Sequence, residues 1–130
     1  MALYFAYGSN MDAKQMADRC SGAAFAGTAI LPGYQFIINQ RGYATLRPSA
    51  EHETPGVLWE LNAEHEAALD SYEGFAYGLY DKCFREVNAR GNRLRALVYI
   101  DHRNQRPGPP QVGYAMSCKD IAKRLSTQPT

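Results

Sequence analysis

Apolar and polar positions along this chain follow two rhythms, one of period two and one of period three to four, and the switches between them outline its elements. Residues 3–7 (Leu-Tyr-Phe-Ala-Tyr) are apolar and aromatic throughout, as in a strand buried on both faces. The run ends in Gly8-Ser9-Asn10, and beyond it Ala13, Met16, Ala17 and Cys20 recur at helical spacing. That spacing predicts a short helix. Asn10 or Asp12 is placed to cap its start, and Ser21-Gly22 to stop it.

Residues 23–61 read mostly as strands. Segments 23–31, 34–39, 43–47 and 56–61 are divided by Pro32-Gly33, by Arg41-Gly42 and by a polar stretch at 48–55. Asn62 then caps a helix over residues 63–72, with Leu61, His65, Ala68, Leu69 and Tyr72 on its expected buried side. Glu73-Gly74 ends it, Gly74 being suited to a left-handed cap. Two further strands, 79–88 and 94–101, are joined by Ala89-Arg90-Gly91-Asn92, a credible hairpin turn. A polar, proline-bearing loop follows at 102–110, and Ser117-Cys118-Lys119-Asp120 has the form of a capping box for a last helix at 121–125. No repeat or linker interrupts the pattern, so residues 1–130 are expected to form one α+β domain. Antiparallel pairing is expected to dominate, and seven strand-like segments close best as a small β-barrel or strongly curled sheet with helices at its sides; closure would also hide the strand edges.

Composition narrows the chemistry. The 130 residues include 14 Lys plus Arg against 13 Asp plus Glu, a net charge of +1, and are 45% hydrophobic. Such a chain can bury a core, and it has neither the charge excess of a disordered segment nor the basic surplus of a nucleic-acid binder. No apolar run reaches the roughly 18 residues of a membrane span, and no basic-then-apolar leader precedes the first strand. Cys20, Cys83 and Cys118 are widely spaced, without a Cys-x-x-Cys pair. They read as reduced thiols, packed as small apolar groups in a cytoplasmic protein. His52, His65 and His102 lack ligand spacing, and neither phosphate-binding glycine motif is present. No metal, cofactor, nucleic acid or membrane is expected, and nothing in the pattern separates a monomer from a homodimer.

Two places could carry chemistry. The turn at Tyr7-Gly8-Ser9-Asn10 can aim several backbone N–H groups, a hydroxyl and a helix start at one point, which suits a carboxylate. The same residues also make an ordinary turn in which Ser9 and Asn10 only cap the helix, the more frequent role. Glu73 stands at a helix C-terminus, where the dipole opposes a carboxylate by about 0.3–1 kcal/mol. With Tyr72, Phe75, Tyr77 and Tyr80 nearby to desolvate it, its pKa would rise toward that of a useful base. Most glutamates at helix ends are simply solvated. Arg41, Arg47 and Arg85 could each meet a substrate carboxylate, and no spacing selects among them. His65 reads as packed, and Arg103-Asn104-Gln105-Arg106 as a solvated loop.

Taken together, these residues resemble a known family. Tyr4-Phe5-Ala6-Tyr7-Gly8-Ser9-Asn10-Met11 is similar to the N-terminal signature of the gamma-glutamylcyclotransferase-like (AIG2-like) proteins. Leu69-Asp70-Ser71-Tyr72-Glu73-Gly74, with Tyr80 seven residues after Glu73, resembles their second signature. The strand at 56–61, the late strand Ala96-Leu97-Val98-Tyr99-Ile100 and Tyr114 extend the likeness over most of the chain. The resemblance implies a mixed barrel with flanking helices and an enzyme that converts a gamma-glutamyl amide to 5-oxoproline, releasing an amine or amino acid. On that basis Tyr7, Gly8, Ser9 and Asn10 would hold the glutamyl moiety, Glu73 would be the general acid/base, and Tyr80 and Tyr99 would line the pocket. No metal or cofactor is implied. The alternative is a catalytically idle small-molecule-binding or interaction module of the same fold, against which an acid at position 73 argues. Glutathione-directed relatives generally carry another residue where Asn10 stands, which ranks glutathione low as a substrate.

Overall fold

Five strands close into a barrel because three of its segments have two apolar faces to bury. The computed structural model describes residues 2–73 and 79–109. Outside them lie the expected Gly74 cap, Phe75, Tyr77, Tyr114, Cys118 and the helix expected at 121–125. In chain order the elements are β1 (Ala2–Ala6), a 3-10 turn (Ser9–Met11), α1 (Ala13–Arg19), β2 (Ala24–Ile38), β3 (Ala44–Leu61), α2 (Ala63–Tyr72), β4 (Asp81–Ala89) and β5 (Asn92–Ile100). The strand order is β1-β3-β2-β4-β5, with β5 returning to β1. That closing pair is parallel at Tyr4 and Leu97, and the other pairings are antiparallel. The mixed, mainly antiparallel barrel with flanking helices is as expected.

Alternation along the strands sorts the side chains into two cores. Phe5, Leu31, Leu46, Leu58, Val87, Val98 and Ile100 fill one, on the barrel's inner side. Tyr4, Ala6, Val57, Trp59, Leu61, Leu97 and Tyr99 form the other, packed with Met16 of α1 and Leu69 of α2. This is why β1, β5 and the end of β3 read as nearly continuous apolar runs. Gly56 lies where β3 crosses β1. A Cβ there would come within 2.5 Å of the Ala6 carbonyl oxygen and 2.6 Å of the Phe5 ring.

The seven expected strands are five because two of the supposed breaks are the two sides of one bulge. At Pro32-Gly33 the pairing shifts register and continues: Pro32 faces Glu53 and Tyr34 faces Pro48. Gly33 takes φ +81, a backbone state that glycine adopts without penalty. Opposite it, Ser49 to His52 form the surplus of β3, so the polar stretch at 48–55 belongs to that strand, and it is this stretch whose side chains are mostly exposed. A bulge keeps the ladder while bending it, as a barrel corner requires.

The local signals were mostly sufficient for the helices and the hairpin. Asp12 caps α1, its Oδ1 accepting from the Lys14 N–H at 2.9 Å. Asn62 caps α2 in a reciprocal box with His65, whose Nε2 also contacts the Ser21 carbonyl at 2.7 Å. His65 is therefore a structural tie between the helices' ends, in keeping with a packed role. Arg90 and Gly91, at φ +50 and +81, make the hairpin turn. Replacing Asn62 with Ala removes the side-chain half of the box, the bond from the His65 N–H to Asn62 Oδ1, and is expected to cost about 1 kcal/mol, read from denaturant melts. Cys20 is buried and Cys83 half-buried, and burial pushes both thiols up in pKa.

Candidate active site

A pocket of about 300 Å³ opens beside the end of β1, bounded by the turn that follows it, the end of α2, and residues from the β2–β3 turn and β5. All seven residues expected at the site, Tyr7, Gly8, Ser9, Asn10, Glu73, Tyr80 and Tyr99, line it. Five of them come from two short segments, and the barrel closure brings β5 alongside β1 to add Tyr99.

The turn is rigidly built. Met11 and Asp12 donate their N–H groups back to the Gly8 and Ser9 carbonyls at 3.0 and 3.1 Å, closing the 3-10 turn. The N–H groups at its head have no acceptor within it, as at any helix start. Asn10 is buried and fully engaged: Nδ2 donates to the Tyr4 hydroxyl at 3.0 Å, and its carbonyl accepts from Trp59 Nε1 at 3.0 Å. The Tyr7 hydroxyl donates to the Tyr99 carbonyl, tying β1 to β5. Ser9 and Asn10 therefore do more than cap a helix; Asp12 performs that task.

Glu73 is the C-cap of α2, its N–H bonded to the Leu69 carbonyl at 2.8 Å. No hydrogen-bond donor among the described residues reaches its carboxylate. Burial pushes the Glu73 carboxyl up to about 7 from the ordinary 4.5, against the pull of Arg19. Around it the Tyr4 and Tyr80 phenols are raised well above their usual range, first by burial and then by Glu73. Tyr99 is raised by burial and by its hydrogen bond to Asp70. All three stay protonated at neutral pH, as neutral hydrogen-bonding groups beside a titrating acid. Tyr80 donates to the Ala44 carbonyl at 2.8 Å and Tyr99 to Asp70 Oδ1 at 2.6 Å. Asp70 is held in turn by Lys82 at 3.1 Å.

A family model described as gamma-glutamyl cyclotransferase, AIG2-like, matches residues 4–116. The chain belongs to this family. It is 31% identical to a mouse gamma-glutamylcyclotransferase and 33% identical to a human one, each over 123 residues and 86% of this chain. It spans 65% of the length of each of those relatives. A solved structure of a gamma-glutamyl cyclotransferase superposes with a TM-score of 0.86 at 27% identity, covering 97% of this chain and 80% of that one.

Within this AIG2-like pocket several residues escaped the sequence reading. Tyr4 was legible only as a strand aromatic; its hydroxyl accepts from Asn10 Nδ2 in the turn that follows β1, and it lines the pocket. Tyr72 was expected on the buried face of α2; it is 48% exposed, because it lies at the pocket rim with the Arg19 guanidinium over its ring. Of the three candidate arginines only Arg41 lines the pocket, while Arg85 and Arg47 bond to Tyr34 and Gln35 on the barrel wall. The loop after β5 is less solvated than expected. Asn104 bonds to Asp101 and Gln40, and Gln105 to the Leu46 carbonyl, whereas Arg103 and Arg106 are exposed. Among the described residues neither histidine nor cysteine lines the pocket, so no paired nucleophile of the serine- or cysteine-hydrolase kind is available there. No helix among the described residues is long and apolar enough to cross a membrane.

Proposed function

We propose that this pocket cyclises a gamma-glutamyl amide to 5-oxoproline and releases the amine, with Glu73 as general base and then general acid. The observation that carries the reading is a carboxyl group, pushed up to about 7 by burial, that faces a pocket with no histidine-paired serine or cysteine among its described lining residues. Support also comes from the mouse and human relatives, which bear the name gamma-glutamylcyclotransferase.

In this reaction the substrate supplies its own nucleophile. The alpha-amine attacks the gamma-carbonyl, and correctly folded intramolecular attack is worth about 7–11 kcal/mol. The pocket must then hold the glutamyl chain bent, anchor its alpha-carboxylate and take a proton from the ammonium. N–H groups at the head of the Gly8–Asn10 turn suit the anionic groups, whether the carboxylate or the developing oxyanion. A base near neutrality takes the ammonium proton and returns it to the departing amine, a step worth about 10²–10⁴-fold. The new C–N bond closes the lactam, the old one breaks, and the proton count balances without a cofactor.

The direct test incubates the full chain with gamma-glutamyl amino acids and gamma-glutamyl amines and measures 5-oxoproline. Release from at least one of them is expected. Silence across the set, with glutamyl ligands still bound, would instead identify a binding module. Tyr80 shares the pocket with Glu73 through its ring and its Ala44-bonded hydroxyl. Tyr80→Phe is expected to lower kcat about tenfold while KM changes less; an unchanged kcat would reduce Tyr80 to packing.

A further inference from the structure

Arg19, the last residue of α1, lies outside both family signatures, yet it touches both halves of the site. One guanidinium nitrogen donates to Ser9 Oγ at 3.0 Å and to Asn10 Oδ1, and the other reaches Gln15 Oε1 at 3.2 Å. The guanidinium carbon sits 3.7 Å from the centroid of the Tyr72 ring, and Tyr72 directly precedes Glu73. No carboxylate forms an ion pair with it among the described residues.

We propose that Arg19 is a positioning residue that holds the Gly8–Asn10 turn in register with the Tyr72–Glu73 end of α2. The proposal rests on the cyclotransferase reading, in which the turn anchors the substrate and Glu73 moves its proton. The physical reason begins with Tyr72. An aromatic ring half in solvent at the last turn of a helix has little packing to fix it, and a stacked guanidinium supplies a partner worth about 0.5–2 kcal/mol. One nitrogen of the planar fork bonds the turn and the other Gln15, so one side chain spans the turn and the end of α2. An ammonium can supply the charge but not the fork and the stack together.

Arg19 also leaves a charge near Glu73 that no ion pair consumes. Around that carboxyl, β1 and β5 present the neutral phenols of Tyr4 and Tyr99, and Tyr80 adds a third. Arg19, behind the pocket wall, pulls the Glu73 carboxyl down, while Arg41, which lines the pocket and pairs with Asp101, acts on Tyr80. Removing Arg19 should therefore raise the Glu73 midpoint.

The experiment compares wild type, Arg19→Ala, Arg19→Lys and Glu73→Gln as full chains. Each is followed by thermal melting, by carbon-13 NMR titration of the Glu73 carboxyl where it is present, and by steady-state kinetics. In Arg19→Ala the carboxyl midpoint is expected to move upward, carrying the acid limb of kcat/KM with it, and kcat/KM to fall about 10²-fold. Arg19→Lys is expected to keep the midpoint near wild type and recover only part of kcat/KM. A folded Arg19→Ala with wild-type kinetics and an unmoved midpoint overturns the proposal. If that variant does not fold, Arg19→Lys with wild-type kcat and KM overturns it. If wild type itself releases no 5-oxoproline, the cyclotransferase reading fails separately. Arg19 is then judged by the Glu73 midpoint and by the Ser9 and Asn10 amide shifts in Arg19→Ala, which overturn it if unmoved.

Discussion

Glu73→Gln is expected to abolish 5-oxoproline release, by about 10²–10⁴-fold or more, while the fold and glutamyl-ligand binding survive. Glutamine keeps the size and polarity of the side chain and cannot carry the proton. The same substitution makes a second, independent prediction about stability. Burial raises the Glu73 carboxyl from 4.5 to about 7 in the folded chain. Between those values the unfolded chain releases its proton while the folded one retains it, so the native state loses stability as pH rises and carries the full penalty above about 7. Glu73→Gln has no such penalty. It should be more stable than wild type near pH 8, on the order of 1–3 kcal/mol, and the gap should close below about pH 4.5. Melting curves at both pH values check this. A variant with near-wild-type turnover would sink the acid/base role. A variant no more stable at high pH would show that the carboxylate is not desolvated.

Asp101→Ala is expected to destabilise the fold by about 3 kcal/mol, seen as a lower denaturant midpoint at unchanged slope. Asp101 is fully buried where β5 ends, and its carboxylate is an acceptor for five donors. Asn39 Nδ2 donates at 3.3 Å, Arg41 Nη1 at 3.2 Å and Asn104 Nδ2 at 3.0 Å, with the N–H groups of Arg103 and Asn104 at 3.0 and 3.1 Å. Alanine strands the buried Asn39 amide, whose Oδ1 otherwise orders the turn through the Arg41 and Tyr43 N–H groups. Arg41 keeps 32% of its side chain in solvent, so water recovers part of its loss, which sets the figure below that of a fully buried pair. Because Arg41 and Tyr43 line the pocket, weaker substrate binding should accompany the lost stability. A loss under about 1 kcal/mol would mean that water replaces the carboxylate.

The difference between these two sites explains what could be read in advance. The turn at Gly8–Asn10 and the cap at Glu73 were legible because each is local: a glycine turn between apolar strand and helix, and an acid at a helix end, leave their mark within a few neighbouring residues. The limits of α2, its Asn62 cap and the Arg90-Gly91 hairpin were legible for the same reason. Pro32-Gly33 was misleading, since the signal that marks a strand end also marks a bulge, and only the partner strand distinguishes them. Asp101 left no signal at all. Its partners at 39, 41 and 104 share no periodicity with it, and an aspartate before a polar loop resembles a solvated turn residue.

By itself, then, the sequence determined the barrel with its helices and the two segments on which the candidate chemistry stands. Hydrophobic period and capping chemistry act over a few residues and need no tertiary partner. Only the closed barrel decided that Tyr4 and Arg41 join the expected residues around one pocket, that Arg19 stacks on Tyr72 at its rim, and how far burial raises the Glu73 carboxyl. Desolvation and the register of distant side chains depend on what packs across from a residue, and that is set when β5 closes against β1.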